Sequence, residues 1–360
     1  MRILIAANSY PTEKNPSSQV FVRNIYKGLK KKFTSVDLVF NHYYKWFKSD
    51  LGTGTIITSG VKIAILFYSY LPYMLGKAKD YDIIYSHGEL LPGIFIPIIQ
   101  RLYGIKHVCY VHGSANDFAI KNGVNFKLAR YVFRKSDYLV TNSKFMQEVI
   151  EKNYGFESRV ITPGYNSEIF TGETENREID ICFAGSAVYK KGTDLILKAV
   201  KNHIHFYEKH DLKIHLYIDG ELKNELLTYI ANHTIAGLVN VYGRLQDIEL
   251  ADTFRKSKIV LFPSREEPLG LIGIEAIACG CILIAAGTGG IPEYAKDKKN
   301  SFLFERGNSE DLQDKIEYVY ENYTSIKSQF YGNDETVKDF TLENGIEQTV
   351  DFFNSIQSSV

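Results

Sequence analysis

Cysteine is scarce. Four residues in 360, Cys109, Cys182, Cys279 and Cys281, all fall in apolar stretches. Their spacing matches neither a disulfide framework nor a zinc site, so structural thiols in a reducing compartment are expected. Net charge is absent as well, 42 Lys and Arg balancing 42 Asp and Glu. No apolar run reaches the roughly 18 residues that a membrane-spanning helix needs. The nearest, "VKIAILFYSYLPYMLG" and "LLPGIFIPII", are broken by Pro or Lys. The apolar run after Arg2 is too short for a signal-peptide core followed by a cleavage site, which argues for a cytoplasmic protein. The loop "AANSYPTEKNP" after the first apolar run has no Gly-x-Gly-x-x-Gly, which disfavours a dinucleotide-binding oxidoreductase. There is no low-complexity tract, no short-period repeat and no nucleic-acid recognition motif.

What is present is an ordinary globular composition, 45% hydrophobic and 23% charged, in a chain long enough for about two domains. The charge is unevenly spread. Residues 1–170 hold 22 basic and 12 acidic side chains, the remainder 20 and 30. Strand and helix patterns alternate from the start: "RILIAA", helix "QVFVRNIYKGLKKKF", "SVDLVFNHY", then "YDIIYSH", "KHVCYVHG", "DYLVTNS" and "SRVITPG" with helices between. The polar stretch "NSEIFTGETENREI" reads as a linker, after which "DICFAGS", "LKIHLYIDG", "LVNVYG", "KIVLFPS" and "CILIAAG" alternate with helices again. Helices near 309–326 and 342–358 close the chain. The expectation is an α/β protein of two Rossmann-like parallel-sheet domains, 1–170 and 171–340, facing a central cleft, with a final helix over 341–360 able to pack back on the first domain.

The stretch "REEPLGLIGIEAIACG" carries the chemistry. Pro268 and Gly270 place a helix start at Gly270 or Leu271. The first turn of that helix offers unpaired amides and the positive end of its dipole to an anion. Glu267 lies before the turn and Glu275 one helical turn beyond it, so they bracket the anion position. Carboxylates flanking a phosphate site suit hydroxyls, as in a nucleotide-sugar. Taken singly, each reads equally as a solvated acid. Gly289 and Gly290 in "TGGIPE" would also admit a close ligand.

These residues resemble the signature region of the retaining glycosyltransferases of GT-B fold, the glycosyltransferase group 1 family (family 4). "PSREEPLGLIGIEAIACG" and "GTGGIPE" match its Glu-x7-Glu pattern and its Gly-Gly-hydrophobic-Pro-Glu close. "CFAGSAVYKKGTDLILKAV", "LYIDG", "VYGRLQDIEL", "LFPS" and "VITPGYNSEIF" extend the likeness over the whole chain. The resemblance implies that Glu267 contacts the donor sugar, Glu275 the ribose and Lys191 the diphosphate. Gly185, Ser186, Arg244 and the backbone of Gly270, Leu271 and Ile272 would complete the donor site. Ser186 stands where the family usually has Arg, so a second phosphate cation is missing, with Arg265 or Arg244 as candidates to replace it. Ser17 and Ser18 replace a customary Gly-Gly pair in the first loop; a helix cap is the plainer role for Ser18. His112, ending a strand before Gly113, would sit beside the donor sugar. His87, ending the preceding strand in the same manner, reads equally as a structural residue or as lining the acceptor, and Asp117 as orienting His112 or binding acceptor hydroxyls. On this resemblance His112, Lys191 and Glu267 are the catalytic candidates.

The resemblance implies a hexosyl- or N-acetylhexosaminyl-transferase using a UDP- or GDP-sugar and a lipid-linked or oligosaccharide acceptor. The setting would be capsule, exopolysaccharide or lipopolysaccharide assembly at the inner face of the plasma membrane. No cofactor or metal is expected, the helix terminus and Lys191 supplying the positive charge. The Asp80–Asp82 pair lies at the start of a strand, on the wrong end for a metal-diphosphate site. The basic runs "YKGLKKKF", "KLARYVFRK" and "YMLGKAK" suit either a wet helix face or peripheral contact with anionic lipid. A sugar-nucleotide epimerase and a non-catalytic nucleotide-sugar-binding protein remain as alternatives.

Overall fold

A computed structural model describes residues 1–7, 10–11, 19–42, 54–58, 71–88, 93–113, 123–172, 174, 176–330 and 332–357. The chain divides into two compact units, one of residues 1–164 with 342–360 and one of residues 165–341.

The first unit holds a seven-stranded sheet: β1 (Arg2–Ala7), β2 (Ser35–His42), β3 (Gly54–Thr58), β4 (Ile83–His87), β5 (Lys106–Val111), β6 (Tyr138–Thr141) and β7 (Arg159–Val160). Their order is β3-β2-β1-β4-β5-β6-β7, with every pairing parallel. Strands buried on both faces need apolar residues at consecutive positions, which is why "ILIAA" reads as a continuous run rather than an alternation. Helix Lys144–Tyr154 starts on a Ser143 cap, whose hydroxyl accepts from the Met146 amide. It stops at Gly155, which has a left-handed backbone. The C-terminal helix Leu342–Gln357 belongs to this unit. Its Ile346, Phe352, Phe353 and Ile356 join Ile3, Ile5, Ile25, Leu29 and Tyr85 in one core.

The second unit repeats the plan with six strands: β8 (Ile179–Ser186), β9 (Ile214–Asp219), β10 (Val239–Tyr242), β11 (Ser257–Phe262), β12 (Ile282–Ala286) and β13 (Ser301–Phe304). The order is β10-β9-β8-β11-β12-β13, again all parallel. Strand order therefore reverses beside β1/β4 in one unit and β8/β11 in the other. At such a point loops diverge to opposite faces and leave a crevice at the carboxyl ends of the strands.

Several details differ from the sequence expectation. The short β3 and β13 carry too few alternating residues to register, and the strand expected over 158–164 is only two residues long. The expected helix 309–326 is two, Ser309–Glu321 and Tyr323–Gln329, parted at Asn322. The stretch read as a linker is anchored. Phe170 is buried in the second core, and the buried Arg177 guanidinium donates to the carbonyls of Phe254, Ser257 and Cys279. All three carbonyls lie at the carboxyl ends of helices, where a cation offsets the negative dipole end.

Candidate functional site

The turn that follows β11 is built from the inside out. Pro263, Ser264, Leu269 and Gly270 are buried, and helix Leu271–Ala278 begins directly after Gly270, whose φ is +90°. A side chain at Gly270 would meet the Phe262 ring at 2.7 Å and Glu267 Cγ at 2.8 Å, so only glycine folds the turn this tightly. No side chain caps the helix, and its first amides at Leu271 and Ile272 have no intrahelical acceptors.

Lys191 meets this turn from the loop after β8. Its Nζ donates to Glu267 Oε2 at 2.5 Å, and Ser264 Oγ donates to the same oxygen at 3.2 Å. Both loops leave the switch point between β8 and β11, and the Arg265 amide ties them by donating to the Lys190 carbonyl at 2.7 Å. Glu267 Oε1 has no hydrogen-bond partner among the described residues. The pair therefore balances its own charge while leaving one carboxylate oxygen and part of an ammonium group to a ligand. Gly185 and Ser186, half-buried, end β8 at the same crevice.

Arg265 does not replace the missing cation. Its guanidinium forks onto Asp194 at 2.7 and 2.8 Å, donates to the Tyr189 carbonyl and lies over the Tyr189 ring at 4.1 Å. This bidentate pairing draws the Asp194 carboxyl below its ordinary range even though burial alone would raise it. Arg265 is spent on holding the Tyr189–Lys191 turn. Arg244 is exposed in the loop after β10 and makes no hydrogen bond or ion pair with another described residue.

Glu275 is half-buried within the helix rather than on a wet face. Desolvation pushes its carboxyl up to about 8, and the nearby Asp247 charge adds to the shift. Tyr294 is the group that sequence reading missed here. Its buried hydroxyl donates to the Gly270 carbonyl at 3.0 Å, close enough to both Glu267 and Glu275 to feel their charges. Gly273 in the helix makes the room, since a Cβ there would meet that hydroxyl at 2.3 Å. The signal was the aromatic directly after "GGIPE". Asp194, in the first turn of helix Thr193–Asn202, was also missed, because an acid at a helix start is common.

Gly289 and Gly290 serve a different purpose from the one expected. A Cβ at Gly289 would lie 1.9 Å from the Glu267 carbonyl oxygen, and one at Gly290 2.2 Å from that of Pro268. The Gly290 amide donates to the Glu267 carbonyl at 3.0 Å. The glycines admit the protein's own turn, not a ligand, and so fix Glu267 from behind.

In the first unit His87 ends β4, and His112 follows β5. His87 Nδ1 and His112 Nε2 share one hydrogen bond at 2.9 Å, and the rings stack with centroids 5.2 Å apart. His112 also lies against Phe21 and Tyr110 at 4.4 and 4.0 Å. Burial drives His112 well below the usual imidazole range, with His87 opposing a charge further, and burial brings His87 to about 3. Both rings are neutral at physiological pH, and a single proton lies between them. His87 Nε2 is buried without a partner among the described residues. Asp82 is occupied with Arg2, in keeping with a strand-start role. Ser17, Ser18 and Asp117 lie outside the described residues. Among the described residues no group of three or more His, Cys, Asp or Glu is arranged to hold a metal. No described helix is long and apolar enough to cross a membrane.

Two parallel sheets with the same order reversal, and an anion-ready helix start flanked by Lys191 and two glutamates, define a GT-B glycosyltransferase. Residues 164–353 match the glycosyl transferases group 1 family, to which the chain belongs, and residues 18–169 match Glycosyltransferase Family 4. An uncharacterized glycosyltransferase of Methanocaldococcus jannaschii is 28% identical over 283 residues, 76% of this chain and 77% of its own. A D-inositol 3-phosphate glycosyltransferase of Paenarthrobacter aurescens is 24% identical over 67% of this chain and 65% of its own length, just under two thirds. Among solved structures, Anabaena HepE in complex with UDP matches the fold with a TM-score of 0.81 at 17% identity, covering 99% of this chain and 100% of HepE. The same Anabaena protein in complex with UDP-glucose matches at 0.80 and 16%, with the same coverage.

Proposed function

We propose that the protein moves a hexosyl or N-acetylhexosaminyl group from a UDP- or GDP-sugar to a hydroxyl of a lipid-linked or saccharide acceptor, with retention at the anomeric carbon, in surface polysaccharide assembly. The Lys191–Glu267 pair at the mouth of the uncapped helix carries this reading. The diphosphate meets the Leu271 and Ile272 amides and the remaining donors of Lys191, beside Gly185 and Ser186. Glu267 Oε1 accepts from hydroxyls of the donor sugar, and Glu275 accepts from the ribose. Charge that develops on the leaving diphosphate is then met by groups already in position, which is the main source of catalysis in such sites. Arg244, exposed in the loop after β10, adds a cation once the diphosphate is bound.

His112 contributes as a neutral imidazole. It donates or accepts a hydrogen bond to the sugar and carries no proton through the cycle. The leaving phosphate oxygen takes the acceptor's proton as the new bond forms on the face it vacates. The UDP-glucose complex of Anabaena HepE supports UDP-sugars as the first donors to test. Calorimetry with UDP and GDP tests the site directly. Glu275→Ala should cost the better ligand about 0.5 to 1.5 kcal/mol, the worth of a hydrogen bond to a carboxyl that stays mostly protonated near neutral pH. An unchanged dissociation constant would remove Glu275 from the site. Product analysis by NMR, read at the anomeric carbon, tests retention.

A further inference from the structure

The second unit contains a cavity of about 430 Å³ remote from the donor turn, lined by Asp180, His210, Lys258, Ile259, Tyr320, Glu321 and Tyr323. The register of β8 and β11, Ser257 opposite Ile179 and Ile259 opposite Ile181, sets Lys258 level with Asp180. Both stand at the amino ends of their strands, whereas Ser186 and the turn after Phe262 lie at the carboxyl ends. Ser186 lies six residue steps along the strand from Asp180, or roughly 20 Å at about 3.3 Å per residue. A molecule small enough to lie wholly within this cavity does not reach the donor turn.

The lining selects a ligand class. Its volume falls within the range of small-molecule sites, roughly 300 to 1,000 Å³. The rings of His210 and Tyr320 meet edge to face at 5.1 Å, backed by Phe206 at 5.0 and 5.9 Å. Lys258 Nζ lies 5.9 Å from the centre of the Tyr323 ring and donates to Asp180 Oδ1 at 2.5 Å. An ammonium has three donors, so two remain after that bond. Asp180 Oδ2 and the exposed Glu321 carboxylate have no hydrogen-bond partner among the described residues. Two carboxylates against one ammonium repel a phosphate or a nucleotide. Aromatic faces, negative at their centres, attract the polarised C–H bonds of a pyranose, while mixed donors and acceptors suit its hydroxyls.

We propose that this cavity is a second saccharide site that binds a neutral oligosaccharide away from the reacting centre. It would retain a glycan chain on the enzyme and raise its local concentration. The proposal rests on membership of a glycosyltransferase family and is independent of which donor is used. Maltohexaose, cellohexaose and chitohexaose serve as probes of the full-length protein, by saturation-transfer NMR and calorimetry. At least one should bind, with an affinity unchanged by saturating UDP. Lys258→Gln and Tyr323→Leu should each weaken it fivefold or more, with melting temperature and UDP affinity held. Absence of binding by all three probes, displacement by UDP, or full affinity in both variants would overturn the proposal. So would uptake of a trilysine peptide that none of the oligosaccharides displaces, which would assign the cavity to a basic protein segment. Donor turnover plays no part in these readouts, so failure of the transferase reading and failure of this site are told apart.

Discussion

Glu275 places a titration inside the candidate donor site. Its carboxyl, ordinary at 4.5 when unfolded, is raised to about 8 by folding. The folded chain thus keeps a proton that the unfolded chain has lost. The stabilisation this confers is complete below pH 4.5 and disappears as pH rises through 8. Melting temperatures measured from pH 5 to 9 should therefore fall more steeply for the wild type than for Glu275→Gln, and parallel curves would refute the buried acid. Lys191 raises a separate question, because the side chain proposed to stabilise the diphosphate also neutralises a buried glutamate. Lys191→Ala leaves Glu267 with the Ser264 hydroxyl but no counter-charge, at a cost of about 1 to 3 kcal/mol. Adding Glu267→Gln should restore the melting temperature without restoring turnover. Recovery of both would make the lysine purely structural.

The loops after β8, β11 and β12 form one interlocked element, in which Gly289–Gly290 packs against the backbone of Glu267 and Pro268. A methyl group at Gly290 has only backbone to push against, so Gly290→Ala should destabilise by about 1 to 3 kcal/mol, as overpacked positions do. Nucleotide affinity should fall with it, because the displaced segment carries Glu267. Gly237, with open space around it, supplies the control, and Gly237→Ala should leave both unchanged. Thermal melts with UDP titrations on the two variants decide this. The turn itself was legible in sequence, since Pro268 and Gly270 state where a helix can begin. The interlock was not. A Gly-Gly pair reads the same whether ligand or protein fills the space beside it.

Taken whole, the chain is two parallel-sheet units with opposite charge balance, and the proposed site asks no metal of either. Transferase activity should survive exhaustive chelation, and activity lost to EDTA and restored by magnesium would refute the proposed charge stabilisation. If the basic excess within residues 1–170 docks on anionic lipid, binding to acidic vesicles should weaken from low to physiological salt, where exposed charges are screened over about 8 Å. Equal affinity for neutral vesicles would refute the docking. The sequence by itself determined the run of buried strands and amphipathic helices, the uncapped helix start and the two glutamates around it. All of these are properties of neighbouring residues and their periodicity. Tertiary structure alone decided which charges meet: Lys191 with Glu267 and Arg265 with Asp194, 76 and 71 residues apart, and His87 with His112 across adjoining strand ends. The physical reason is the strand order. Placing β8 beside β11 and β4 beside β5 brings their loops together, and burial there makes each charge or imidazole depend on the partner it finds.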